Sequence, residues 1–284
     1  MLPRVHDDAR PGRGTPPRGR DGAVLGWLAA LARVVVPVEC AGCGALDLVL
    51  CGQCRSALRA PVRRCEADAP RLDRLDGRPP LPVWARASYD GPVRELVAAW
   101  KDRGRADLTR VLEEDLGAAV RGLAPVLARA QAGRPLLVVG APSARAAVRR
   151  RGADLVAGLA VAAARALRSA GVAAEARPVL EQRRGGRDQV GLGARARGRN
   201  LAGRIHVARG VHLGGRTVVV VDDVLTTGAT LAAAVAALER AGARVAAGVV
   251  LAATPSPKRA NRDDVDGPDG VDHTPDARHG TMGW

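Results

Sequence analysis

The sequence predicts an α/β protein: a parallel sheet flanked by helices, with a small N-terminal module built on four cysteines and disordered termini. Two observations predict the sheet. Residues 218–221 are four consecutive valines, an apolar run without polar alternation, as a strand buried on both faces requires. From residue 83 to residue 254 such runs alternate with helical patterns, the arrangement of a parallel sheet wrapped by helices. A third observation sets the module apart: Cys40, Cys43, Cys51 and Cys54 crowd together ahead of that alternation.

Bulk composition bounds the rest. A chain of 284 residues with 47% hydrophobic content has ample material for a core, carried by Ala, Val and Leu, with no Phe and 2% aromatics. Lys plus Arg number 44 against 29 Asp plus Glu, a formal net charge of +15 that favours phosphate-rich partners. Arginine far outnumbers lysine, so compositional drift is the competing source of that excess. No apolar run reaches the ~18 residues that a membrane span needs. The stretch near 23–38 holds Arg33 and follows a long polar lead, which argues against a signal peptide and for the cytoplasm. No Gly-Lys-Ser/Thr phosphate loop occurs, which argues against ATP hydrolysis.

Taken in order, residues 1–22 are a basic tail too rich in Arg, Pro and Gly to fold. Residues 23–65 form the cysteine module. Its two Cys-x-x-Cys pairs place four thiolates on two tight turns, suited to a tetrahedral structural Zn²⁺ rather than to disulfides in a cytosolic chain. Cys65 reads as a spare thiol. Residues 66–82 are a polar, proline-rich connector, and 83–254 the main domain. Within it, strands are expected at 83–89, 135–139, 177–180, 204–207 and 244–252, and helices at 91–101, 107–131 and 154–169. A long Gly- and Arg-rich loop runs to Asn200, open to two readings: a lid, or a solvated basic loop. Residues 255–284 form a second tail.

Residues 217–231, TVVVVDDVLTTGATL, carry the chemistry. The valine strand is expected to end at Asp222 and Asp223, and a turn holding Thr226, Thr227, Gly228 and Thr230 leads into a helix with Leu231, Val235 and Leu238 on one stripe. Gly242 stops that helix. Strand, hydroxyl- and glycine-bearing turn and helix make an anion cradle, because orphan backbone N–H groups and the helix dipole converge there. The acid pair repels an anion, so it faces neutral hydroxyls or a metal. A phosphate beside a vicinal diol describes a ribose 5-phosphate.

The segment resembles the phosphoribosyl-pyrophosphate (PRPP) motif of type I phosphoribosyltransferases, a hydrophobic strand leading into two acids and a Thr-Thr-Gly-x-Thr loop. That resemblance implies a type I phosphoribosyltransferase-like fold, with Asp222 and Asp223 on the ribose hydroxyls. It implies that Val224, Leu225, Thr226, Thr227, Gly228, Ala229 and Thr230 wrap the 5-phosphate, and that Mg²⁺ accompanies PRPP. Joined to the cysteine pairs, the motif resembles the ComF family, phosphoribosyltransferase-like proteins associated with DNA uptake. Tyr89, Arg94 and Lys101 resemble its tyrosine–arginine–lysine segment, Arg149-Arg150-Arg151-Gly152 its basic turn, and Gln189 to Asn200 its loop spacing.

The ComF resemblance implies transfer of phosphoribose to an acceptor it does not name. Lys101 joins the two aspartates as catalytic, Pro142, Ser143, Arg149, Arg151, Arg187 and Gln189 bind substrate, and Cys40, Cys43, Cys51 and Cys54 hold Zn²⁺. The partners it implies are PRPP or ribose 5-phosphate, and, in a non-catalytic alternative, single-stranded DNA or an uptake helicase, or PRPP sensing alone. Membrane insertion is not expected, and a homo-oligomer stays open. The chain departs from the family at Val139-Gly140-Ala141-Pro142, where the family shows Val-Pro-Val-Pro, and at Ala153-Asp154-Leu155, where it shows Phe-Asn-Gln.

Overall fold

The computed structural model describes residues 38–73, 77–131, 133–183 and 203–255. Helix α1 (Gly52–Leu58) lies in the cysteine module, and a short strand β1 (Arg63–Arg64) leaves it. The alternating region then runs β2 (Val83–Ser88), α2 (Gly91–Asp102), α3 (Thr109–Ala130), β3 (Leu136–Gly140), α4 (Arg145–Arg151), α5 (Leu155–Ser169), β4 (Ala174–Ala176), β5 (Leu180–Gln182), β6 (Ile205–Val207), β7 (Thr217–Leu225), α6 (Ala229–Arg240) and β8 (Arg244–Ala253). The tails expected at 1–22 and 255–284 lie outside the described residues, Pro255 excepted.

The main sheet has the order β1-β2-β8-β7-β3-β4, with all pairs parallel except the antiparallel β1–β2 edge. The valine run sits at its centre, and Val218, Val220 and Val221 are fully buried. On one face, Val219, Val221, Leu136 and Val138 pack with Leu96, Leu112 and Leu159, and with Leu58 of the cysteine module. On the other, Val218, Val220, Leu137 and Val139 pack with Leu231, Val235 and Leu238 of α6 and with Leu72 and Ile205. Each buried Leu or Val adds ~1.5–3 kcal/mol by leaving water, so a core built without Phe is a matter of number rather than size.

Two details differ from the sequence reading. The strand expected at 177–180 does not form there: β4 ends at Ala176 before it, and β5 begins only at Leu180. β4 extends the main sheet beside β3, whereas β5 turns away to pair antiparallel with β6 in a separate ribbon. Pro178, which has no N–H to give a ladder, lies at the break. The motif strand, expected to stop at the acid pair, continues to Leu225, because β8 runs alongside it as far as the Leu225–Ala253 pairing. Asp222 and Asp223 are therefore strand residues. Val221 and Val224, three positions apart, pack into the same cluster, so the two-residue alternation breaks across the acids.

The cysteine module is docked rather than tethered. Arg105 donates to the carbonyls of Glu39 (2.9 Å) and Val49 (3.4 Å) while paired with Asp107. Arg59, just past α1, reaches the buried Asp115 of α3 at 2.9 Å. The second oxygen of Asp115 has no hydrogen-bond partner, so Arg59 is the main compensation for a buried carboxylate. Arg59→Ala is expected to destabilise the fold by about 2 kcal/mol in urea denaturation, and Asp115→Asn by less, since the amide carries no charge to leave stranded. Equal losses would show that the charge is not what matters.

Candidate functional site

Winding reverses at the middle of the sheet. β3 leads through α5 to β4 on one side, and β7 leads through α6 to β8 on the other, so the carboxyl ends of β3 and β7 open a crevice between them. Ligand sites of open α/β sheets form at such switch points. The register places Gly140 opposite Val221, and the Ala141 N–H donates to the Val221 carbonyl at 2.8 Å. The turn holding Pro142 and Ser143 thus leaves the sheet directly beside the strand that carries Asp222 and Asp223.

The elbow after β7 is built for close approach. Gly228 adopts φ +79°, and a Cβ there would stand 2.9 Å from Leu72 Cγ and 3.1 Å from Ala69 Cβ. Conformation and space both demand glycine. Thr226 and Thr227 are exposed, the Ala229 N–H donates to Thr227 Oγ1 at 3.4 Å, and α6 starts at once, so its dipole points at these hydroxyls. The connector is part of this elbow: the Arg71 N–H donates to the Thr227 carbonyl at 3.0 Å, and Glu66 accepts from the Val83 N–H at 3.1 Å. Sequence reasoning passed over Ala69, Arg71 and Leu72. Leu72, an isolated apolar residue in a polar stretch, was the available signal. Cys65, the spare thiol, is buried, donates to the Val83 carbonyl at 3.4 Å, and is pushed up to about 12 by burial, which makes it inert.

One cation meets the acid pair. Lys101 Nζ lies 2.8 Å from Asp223 Oδ2, and Lys101 lines a cavity of about 410 Å³ together with Arg150 and Arg151. Arg150 contacts Asp102 at 3.3 Å. Pro142, Ser143 and Arg149 line a separate cavity of about 540 Å³. Asp154 borders both, accepting from Ser143 Oγ at 3.2 Å and from the Ala157 N–H at 3.3 Å. Arg187 and Gln189, and most of the basic loop, lie outside the described residues. Trp100 is buried and Trp84 and Tyr89 pack against the core, so no exposed aromatic pair offers a base-stacking platform among the described residues.

Comparison with known proteins places this arrangement. A family model for the phosphoribosyl transferase domain matches residues 196–274. The adenine phosphoribosyltransferase of Mycolicibacterium vanbaalenii is 40% identical over 156 residues, covering 51% of this chain and 84% of that protein. The chain belongs to the phosphoribosyltransferase family. The adenine phosphoribosyltransferase of Mycolicibacterium gilvum is 61% identical over 44 residues, 16% of this chain and 25% of that protein. A hypoxanthine phosphoribosyltransferase structure from Staphylococcus aureus aligns at 18% identity and a TM-score of 0.30, over 50% of this chain and 65% of that one. Likeness at that level carries no weight, and the family assignment rests on the sequence relatives.

The chain carries its four cysteines as a cluster that could hold a metal ion. Their sulfurs all lie within 4.8 Å of one another, and Cys43 and Cys51 Sγ are 3.6 Å apart, close to the ~3.8 Å edge of a tetrahedron with 2.3 Å metal–sulfur bonds. The Cys51 N–H donates to Cys40 Sγ at 3.3 Å. Burial opposes ionisation of Cys40, but backbone donors at Cys51, Gly42 and Cys43 bring its thiol down to about 6. Cys54 is pushed up, by burial and by the three neighbouring cysteines. Among the described residues no helix is long and apolar enough to cross a membrane.

The acid pair is asymmetric. Asp223 is buried against Lys101, whereas half-buried Asp222 is pushed up to about 8, first by desolvation and then by the charge of Asp223. Asp222 Oδ1 accepts from the Asp223 N–H at 2.9 Å. A carboxyl raised in the fold favours the folded state below its unfolded value of about 4, and that contribution is lost as pH rises towards 8. Asp222→Asn keeps the acceptor and removes the titration. Its melting temperature is expected to overtake the parent's between pH 5 and pH 8, the gap at the upper end corresponding to on the order of 2 kcal/mol of stability. Parallel melting profiles would refute the assignment.

Proposed function

We propose that this chain is a ComF-type phosphoribosyltransferase that binds PRPP and transfers its phosphoribosyl group to an acceptor. One observation carries the reading: the acid pair and the Thr-Thr-Gly-x-Thr elbow stand at the switch-point crevice, beside the β3 exit turn and with a lysine on the inner acid. Asp222 and Asp223 take the ribose hydroxyls, and the backbone and hydroxyls from Val224 to Thr230 take the 5-phosphate. Pro142 and Ser143 flank the pyrophosphate, and Arg149, Arg151, Arg187 and Gln189 supply positive charge and hydrogen bonds around it. Lys101 holds Asp223 in position and adds a cation where the leaving group departs from an oxocarbenium-like ribose.

Two carboxylates alone are a poor cage for Mg²⁺, which prefers six oxygens and keeps much of its water. Mg²⁺ would therefore be held mainly by the pyrophosphate and would offset its charge, with Asp222 and Asp223 supplying at most part of its shell. In the cysteine cluster, four thiolates suit Zn²⁺ in a structural role, since four protein ligands leave no open position.

The protein should bind PRPP in calorimetry with Mg²⁺, and an Asp222→Ala, Asp223→Ala double variant should bind roughly 100-fold more weakly, because both carboxyl acceptors for the ribose hydroxyls are lost. Binding as tight as the parent's would displace the site. Because relatives are named for adenine, adenine heads a screen of bases and small amines for pyrophosphate release. Purified protein should contain one zinc per chain by metal analysis. Cys51→Ser should lose the ion and melt at lower temperature; a variant that kept both would disprove the zinc assignment.

A further inference from the structure

Asp154 is a carboxylate that the PRPP reading leaves without a role. It stands where the exit turn of β3 meets the start of α5. One side borders the 540 Å³ cavity with Pro142, Ser143 and Arg149, and the other borders the 410 Å³ cavity with Lys101 and Arg151. Those are the residues to which the reading gives the pyrophosphate, so a negative charge sits amid the place meant for an anion.

Two hydrogen bonds hold the side chain. Oδ1 accepts from Ser143 Oγ at 3.2 Å and from the Ala157 N–H at 3.3 Å, the second being the N-cap bond of α5. Both fall on Oδ1, which leaves Oδ2 to meet a ligand. A carboxylate only accepts, so the Ser143 hydroxyl spends its proton there and keeps only lone pairs for anything else.

The surrounding cations are engaged elsewhere. Lys101 lies on Asp223 at 2.8 Å, Arg150 and Arg151 on Asp102 at 3.3 and 4.0 Å, and Arg145 on Glu181 at 3.5 Å. Among the described residues no cation lies within ion-pair distance of Asp154. An unpaired carboxylate beside a serine with no proton to give repels bare pyrophosphate. The same two acceptors suit a hydrated divalent ion, whose waters donate. The charge is this chain's own, since the ComF pattern shows asparagine where Asp154 stands.

We propose that Asp154 is a specificity-determining residue of the PRPP site, resting on the reading of that site given above: with Ser143 it admits pyrophosphate as its Mg²⁺ complex and turns away the free anion.

Calorimetry of the full-length protein with inorganic pyrophosphate at low salt, once in Mg²⁺ and once in EDTA, reads the preference as the ratio of two dissociation constants. Asp154→Asn removes the charge and keeps the helix cap, for which Asn and Asp serve equally. One charge removed from about 4 Å away in water is worth roughly fivefold in affinity. The variant should therefore bind free pyrophosphate at least fivefold more tightly than the parent, and the ratio should fall by at least that factor. Glu114→Gln takes a negative charge from an exposed position on α3 that borders neither cavity, and should leave the ratio within twofold. The proposal is overturned if the parent binds both forms equally, if Asp154→Asn keeps the parent's ratio, or if Glu114→Gln lowers it as far. Each of those results leaves the PRPP reading standing. A parent that binds pyrophosphate in neither condition overturns that reading and this inference together.

Discussion

Strand β7 is paired on both sides, to β3 and to β8, and the rest of the site follows from that double pairing. Because its neighbours are parallel, all three strands point their carboxyl ends one way. Because the chain winds outward from β3 and β7 in opposite directions, those ends are left uncovered by any crossover helix. Four buried valines supply the adhesion, and the ladder, continued to Leu225, fixes where the acids and the elbow begin. A one-residue slip would swap the faces of every β7 residue, and in one direction would draw Asp222 into the fully buried place of Val221.

Onto this frame are added two features that ordinary folding would disfavour. Adjacent carboxylates in a half-buried crevice repel, and the protein resolves the conflict by unequal treatment: Asp223 is held against Lys101, and Asp222 is raised towards neutrality. A glycine in left-handed conformation is pressed against Leu72 and Ala69, so the elbow's shape depends on a segment that follows the cysteine module in the chain. The turns at 66–72 thereby touch the elbow directly, while the thiols and α1 pack on the other face of the sheet, with β1 pairing to β2 between them in the chain.

Much of this was legible in the sequence because it is local. Four valines, two acids and a threonine–glycine turn specify strand, charge and elbow within a few residues, and Gly242 marks a helix end by its own backbone preference. What was not legible depends on partners far along the chain. The strand continued through Asp222 and Asp223 because β8 was there to pair with them, which no property of the acids announces. The stretch 177–180 has the composition of a strand, but Pro178 breaks it, and only the register shows that the strands before and after the break serve different sheets. The Lys101–Asp223 contact joins a helix end to a strand end, and the Arg71–Thr227 bond joins a connector to the motif; neither has a periodicity to betray it.

The central claim is that the turn after β7 grips a sugar phosphate through its own backbone. Amide hydrogen exchange, resolved by residue and recorded with and without ribose 5-phosphate, reads that grip directly. The account predicts slowed exchange concentrated at the amides from Thr226 to Thr230, with little change along α3. Unchanged exchange there under saturating ligand, or protection confined to another part of the molecule, would contradict it.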